Sequence, residues 1–139
     1  VRIFVFAMIL FVSCTTPESV AQARDSEMEI QELVIQPKII SSTQAMEMMV
    51  GDVIILDVRT PEEFAGGHIE NAVSVPLDTI QAGLDFLVPA IIPSKEHTIL
   101  IYCHSGVRSN TAANIFANAG FMSVYDFGGI IDWEGDILN

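Results

Sequence analysis

Val53-Ile54-Ile55-Leu56-Asp57-Val58 is an almost unbroken apolar run, and four of its six residues are β-branched. A strand with one wet face alternates apolar and polar side chains; a run of this kind belongs to a strand covered on both faces. Thr98-Ile99-Leu100-Ile101-Tyr102 has the same character, with Val73-Ser74-Val75 and Ser123-Val124-Tyr125 as shorter strands. Helical patterns separate them. Thr60-Pro61-Glu62-Glu63 is a start signal, with a Thr cap, Pro at the first helical position and Glu three residues after the cap. Ser42–Val50 and Gln81–Val88 read as further helices, and Ser109–Ala119 as one with Ala112, Ile115, Phe116 and Ala119 on its apolar face and Gly120 as its stop. Strands alternating with helices predict an α/β fold, a parallel sheet flanked by helices on both faces. Ligands in such folds bind beyond the carboxyl ends of the strands.

The sheet accounts for 37–139 of a 139-residue chain. What precedes it has another composition. Ile3–Val12 is ten apolar residues behind Arg2, too short to span a bilayer, which takes about 20. A basic residue, a short apolar run and a small residue (Ser13) describe a secretory signal peptide. With Cys14 directly after it, 1–14 resembles a bacterial lipoprotein signal, which implies lipidation of Cys14 and a place in the cell envelope or periplasm. Val1 fits either an alternative start codon read literally or a chain that continues upstream. Residues 15–36 are polar and acidic with little periodicity, and are expected to form a flexible tether.

Six bases against 18 acids give a net charge of −12. Nucleic acid and anionic lipid both select a basic face, so neither is an expected partner; contact with a membrane is expected only through the lipid anchor. Two cysteines make neither a disulfide scaffold nor a four-thiolate zinc site. Nothing in the sequence calls for a metal or an organic cofactor.

The chemistry gathers after Tyr102, where Cys103-His104-Ser105-Gly106-Val107-Arg108-Ser109 leads from a buried strand into a helix. The start of a helix offers unpaired N–H groups and partial positive charge, and Arg108 adds a full one. Both favour thiolate over thiol at Cys103. Gly106 and the small Ser105 let the backbone curl into an anion-binding nest.

With Leu56-Asp57-Val58-Arg59-Thr60-Pro61-Glu62-Glu63-Phe64, then Gly67-His68-Ile69, Ala72, Pro76 and the closing Gly128-Gly129 and Trp133, the chain resembles a single-domain rhodanese. The resemblance implies five parallel strands and a cysteine that accepts sulfane sulfur as a persulfide. Thiosulfate or a persulfide, including one borne on a protein, would be the donor, and a thiol or cyanide the acceptor. Cys103 would be the nucleophile. The backbone from His104 through Ser105, Gly106, Val107 and Arg108 to Ser109 would bind the transferred sulfur, with Arg108 holding an anionic donor. Asp57 and Arg59 would support the loop. His104 stands where many relatives carry Arg, which removes a fixed charge. His68 and His97 read as turn residues and Trp133 as packing.

Two other functions compete with sulfur transfer: a module that carries a persulfide or binds redox partners without turnover, and a phosphatase or arsenate reductase. Relatives of the latter kind place five residues between Cys and Arg, whereas four stand here, a nest suited to one sulfur atom more than to a tetrahedral oxyanion. Without residues 1–13 the balance is 5 bases to 18 acids, so long-range steering opposes thiosulfate. For the export segment, radiolabelled palmitate fed to a bacterial host is expected to mark the wild-type chain and not Cys14→Ser. An unlabelled wild-type chain would contradict lipidation.

Overall fold

The structure, a computed structural model, describes residues 34–85 and 87–139. The signal segment, Cys14 and the tether up to Leu33 lie outside the described residues. Residues 34–37 run without regular structure into the domain.

Five strands form one parallel sheet: β1 (Lys38–Ile39), β2 (Val53–Asp57), β4 (Ala72–Ser74), β5 (Thr98–Cys103) and β6 (Ser123–Gly129). They lie in the order β1-β6-β5-β2-β4, every neighbouring pair parallel. A separate antiparallel pair joins β3 (His68–Ile69) to β7 (Ile137–Leu138). The helices are α1 (Ser42–Met48), α2 (Pro61–Ala65), α3 (Leu77–Ala82) and α4 (Val107–Asn118), and a 3-10 turn spans Ile130–Asp132.

The central strand explains its own composition. Ile99, Ile101 and Cys103 join one core with Leu56, Val58, Ile80, Ile92, Ala112, Ala113 and Phe116. Leu100 and Tyr102 join the other, with Ile55, Ala45 of α1, Ile69 and Phe127. Alternate side chains of β5 thus enter different cores, so neither face reaches water and the run has no polar rhythm.

Local signals set the helix starts. Ser41 and Thr60 each close a capping box, with Gln44 and Glu63 returning the hydrogen bond. α3 differs from the sequence expectation: it begins behind Pro76 and stops at Gly83, whose φ is +143°, instead of occupying Gln81–Val88. The apolar residues Leu84, Leu87 and Val88 follow in turns and pack on the first core. α4 starts two residues earlier than expected, at Val107. Its buried face is Ser109, Ala112, Ala113, Phe116 and Ala117, with Ile115 and Ala119 only partly buried beside it.

One contact fixes where the Cys103 loop lies. β6 shifts register beside β5 so that Gly129 pairs with Cys103. A Cβ on Gly129 would fall 2.7 Å from Ser105 Cα and closer still to His104 O, both backbone. Only glycine fits, and Ile131 N then donates to His104 O at 3.3 Å. Gly129→Ala is therefore expected to displace the loop and cost about 1–3 kcal/mol by overpacking, read as a lower urea midpoint. An unchanged midpoint would refute the close approach.

Candidate active site

Cys103 ends β5 as a free thiol in a residue only 1% exposed. Gly106, at φ +96°, turns the chain back so that its N–H donates to Cys103 Sγ at 3.1 Å. That conformation opens α4 without any side-chain cap, which leaves the first N–H groups of the helix for the sulfur. Ser109 lies buried beneath the loop, its hydroxyl donating to Gly106 O at 3.0 Å and lying 3.3 Å from Gly128 O. His104, Ser105 and Val107 are exposed around the rim.

Two effects oppose one another at the sulfur. Burial pushes the Cys103 thiol up. The Gly106 N–H, bonded to the sulfur, and the neighbouring polar groups of Ser109 and Ser105 pull it down, and they prevail: its pKa lies below the ordinary thiol value. The loop's own polar groups come first in holding the thiolate, and Arg108 is close enough to act on it as well.

Arg108 is already engaged. Its Nη1 and Nη2 donate to Glu63 Oε2 and Oε1 at 2.7 and 2.8 Å, a bidentate pair with about a third of each side chain exposed. The hydrogen bonds from Arg108 hold the Glu63 carboxyl down at about 2, well below the ordinary carboxylate range, with burial acting against them. In return, Glu63 raises the pKa of Arg108. Sequence reasoning placed Glu63 in the α2 cap and missed this second partner, 45 residues away in the chain. The available signal was an acid at a cap position in the segment that follows β2, whose carboxyl end lies beside that of β5.

Asp57 and Arg59 form a different unit. Arg59 Nη2 donates to Asp57 Oδ2 at 2.6 Å and to Gly67 O at 2.7 Å, and both residues are buried. Tyr102 roofs the pair, its hydroxyl accepting the Ile69 N–H at 3.2 Å. These bonds hold the 67–69 segment to the sheet, and Val58 N donates to Tyr102 O, one residue before Cys103. Support reaches the loop through the backbone of β5. His68 stacks on Phe64 with ring centroids 3.9 Å apart and bonds Phe64 O through Nδ1, while His97 bonds Ser94 through its own Nδ1. Trp133 packs on Phe127.

A small cleft of about 80 Å³ adjoins Arg108, lined also by Val58, Arg59, Thr60, Pro76, Leu77 and Asp78. A roomier one of about 460 Å³ lies elsewhere, between α1, Ile69 and Trp133, and none of the Cys103 loop lines it.

The sequence profile of the rhodanese-like domain matches residues 41–136. The chain belongs to the rhodanese-like family. A rhodanese-like domain protein from Staphylococcus aureus is 33% identical, with TM-score 0.59 over 71% of this chain and 92% of that one. A rhodanese from E. coli, solved with anions, is 28% identical, with TM-score 0.55 over 62% and 96%. The human single-domain sulfurtransferase, 21% identical, shares the fold, with TM-score 0.63 over 72% and 98%. A curated relative named tRNA uridine(34) hydroxylase, from Yersinia pestis, is 37% identical over 83 residues, 59% of this chain and 23% of that protein. The chain thus spans about a quarter of the length of such relatives.

Because this rhodanese-like thiol sits below the ordinary value, its iodoacetamide alkylation is expected to rise with pH through a midpoint below that of an unperturbed cysteine. Ser109→Ala removes the hydroxyl that bonds Gly106 O and steadies the turn against the sulfur, and is expected to move that midpoint upward. A midpoint insensitive to Ser109 would contradict the account of the loop.

Proposed function

We propose that this rhodanese-like domain is a sulfurtransferase. Cys103 thiolate attacks the outer sulfur of a donor, and the donor's sulfur–sulfur or sulfur–carrier bond breaks with its electron pair leaving on the donor remnant. From thiosulfate, thiolate and dianion give the Cys103 persulfide anion and sulfite. An acceptor then attacks the outer sulfur and restores the thiolate, cyanide leaving as thiocyanate or a thiol as a persulfide. This is covalent catalysis in two steps, with no net oxidation.

The observation that carries the reading is the nest at Cys103. Gly106 N–H already donates to the sulfur, and the polar groups of Ser105 and Ser109 stand close by. Donors gathered on one buried sulfur stabilise the thiolate before attack and the persulfide anion after it. The same groups therefore serve both half-reactions.

The name of the Yersinia hydroxylase does not move the proposal to RNA, because a net charge of −12 opposes a polyanion. The apolar run Ile3–Val12 and Cys14 support a location in the bacterial envelope, held by a lipid.

Thiocyanate formation from thiosulfate or an alkyl persulfide with cyanide tests the activity. Wild type is expected to turn over with at least one donor, and Cys103→Ser to lose at least about 10³-fold, as removal of a covalent nucleophile does. Full activity in Cys103→Ser would refute the mechanism. A single stoichiometric transfer without turnover would assign the domain to sulfur carriage.

A further inference from the structure

Glu63 serves two elements at once. As the third residue of the α2 cap, its Oε2 accepts the Thr60 N–H at 2.9 Å while Thr60 Oγ1 accepts the Glu63 N–H at 3.3 Å. The same carboxylate takes the full fork of Arg108. The cap holds the carboxylate in place independently of Arg108, so the guanidinium comes to a fixed acceptor, and ordering only one of the two side chains costs less entropy.

The consequence is electrostatic. The cation beside the sulfur nest has its charge matched by a carboxylate less than 3 Å away. The cleft next to it is lined by Asp78 as well, and the rim position after Cys103 is His104 rather than a permanently charged residue. Nearest the sulfur is the Gly106 N–H, which donates to it at the opening of α4, a helix start without a side-chain cap. A thiosulfate dianion brings a sulfonate that must displace Glu63 from Arg108 or lie against its carboxylate. An alkyl persulfide brings the outer sulfur alone.

Resting on the sulfur-transfer reading above, we propose that Glu63 is a specificity-determining residue that, by occupying Arg108, biases Cys103 against dianionic sulfur donors and toward persulfides carried on thiols of low charge. In the favoured step the Cys103 thiolate attacks the outer sulfur of RS–SH. The new bond is Cys103 S–S, the bond broken is the donor's S–S, and the electron pair leaves with RS⁻. The proton stays on the transferred sulfur or passes to water, and no oxidant or reductant is consumed.

The test compares kcat/KM for thiosulfate and for 2-hydroxyethyl persulfide, with cyanide as common acceptor, in wild type, Glu63→Gln, Arg108→Gln and the double variant. Glutamine still accepts the Thr60 N–H, so the cap survives while the charge is lost. Glu63→Gln is expected to raise the thiosulfate-to-persulfide ratio about tenfold, chiefly through a lower KM for thiosulfate, because Arg108 is released to bind it. In the Arg108→Gln background the same substitution is expected to move the ratio by less than about twofold, as the two residues act as one unit. Thr60→Ala, which weakens the cap and leaves the charges alone, is expected to lower both rates together without raising the ratio. A ratio unmoved or lowered by Glu63→Gln would overturn the proposal, as would an equal rise in the Arg108→Gln background. Failure of the wild type to take sulfur from either donor is a different result, which would overturn the sulfur-transfer reading itself.

Discussion

Burial of β5 on both faces is the constraint from which the site follows. Its alternate side chains feed two separate cores, so the strand cannot slip by one residue without exchanging every contact on both sides. Register is therefore fixed, and Cys103 stops at one place, the carboxyl end of the central strand of the sheet. Gly129 then sets the height of the loop, since any side chain there meets the backbone of His104 and Ser105. Between a strand that cannot shift and a neighbour that cannot be larger, the turn at Gly106 has little freedom. The Gly106 N–H is aimed at the sulfur before any substrate arrives, which is the preorganisation that electrostatic catalysis needs.

Charge near the site is handled with few groups. The sulfur is stabilised by neutral donors at short range, which work in a chain of net charge −12 because hydrogen bonds do not depend on the long-range field. The one loop cation is matched by Glu63, and the other arginine of the region, Arg59, is consumed by Asp57 and Gly67. The buried pair is weak support for stability, since desolvation offsets most of its attraction. Its work is positional: it ties the Gly67–Ile69 segment to the sheet beneath Tyr102.

Much of this was legible in the residues. The continuous apolar runs implied a doubly covered parallel sheet, Thr60-Pro61 marked a helix start, and the Cys103 loop carried its own chemistry. Other features were hidden for physical reasons. β1, β3 and β7 are two residues each, too short to show a period. The apolar spacing of Leu84, Leu87 and Val88 imitates a helix, but Gly83 ends α3 before it and the residues pack from turns. On α4, Ala112 and Phe116 were placed on the buried face by their spacing, but Ala113 and Ala117 were passed over because hydropathy favours the larger Ile115, which lies at the edge. Glu63 was hidden by having a sufficient local reason to exist. A cap residue explains itself, and only the fold brings Arg108 to it.

Cys103 is expected to hold one sulfur atom at the turn where Gly106 N–H meets it, and intact-protein mass spectrometry addresses that most directly. Wild-type protein treated with an alkyl persulfide, desalted and weighed is expected to gain the mass of one sulfur atom. The gain should vanish after cyanide and be absent from Cys103→Ser. An unmodified wild type, or an equal gain in Cys103→Ser, would contradict the account.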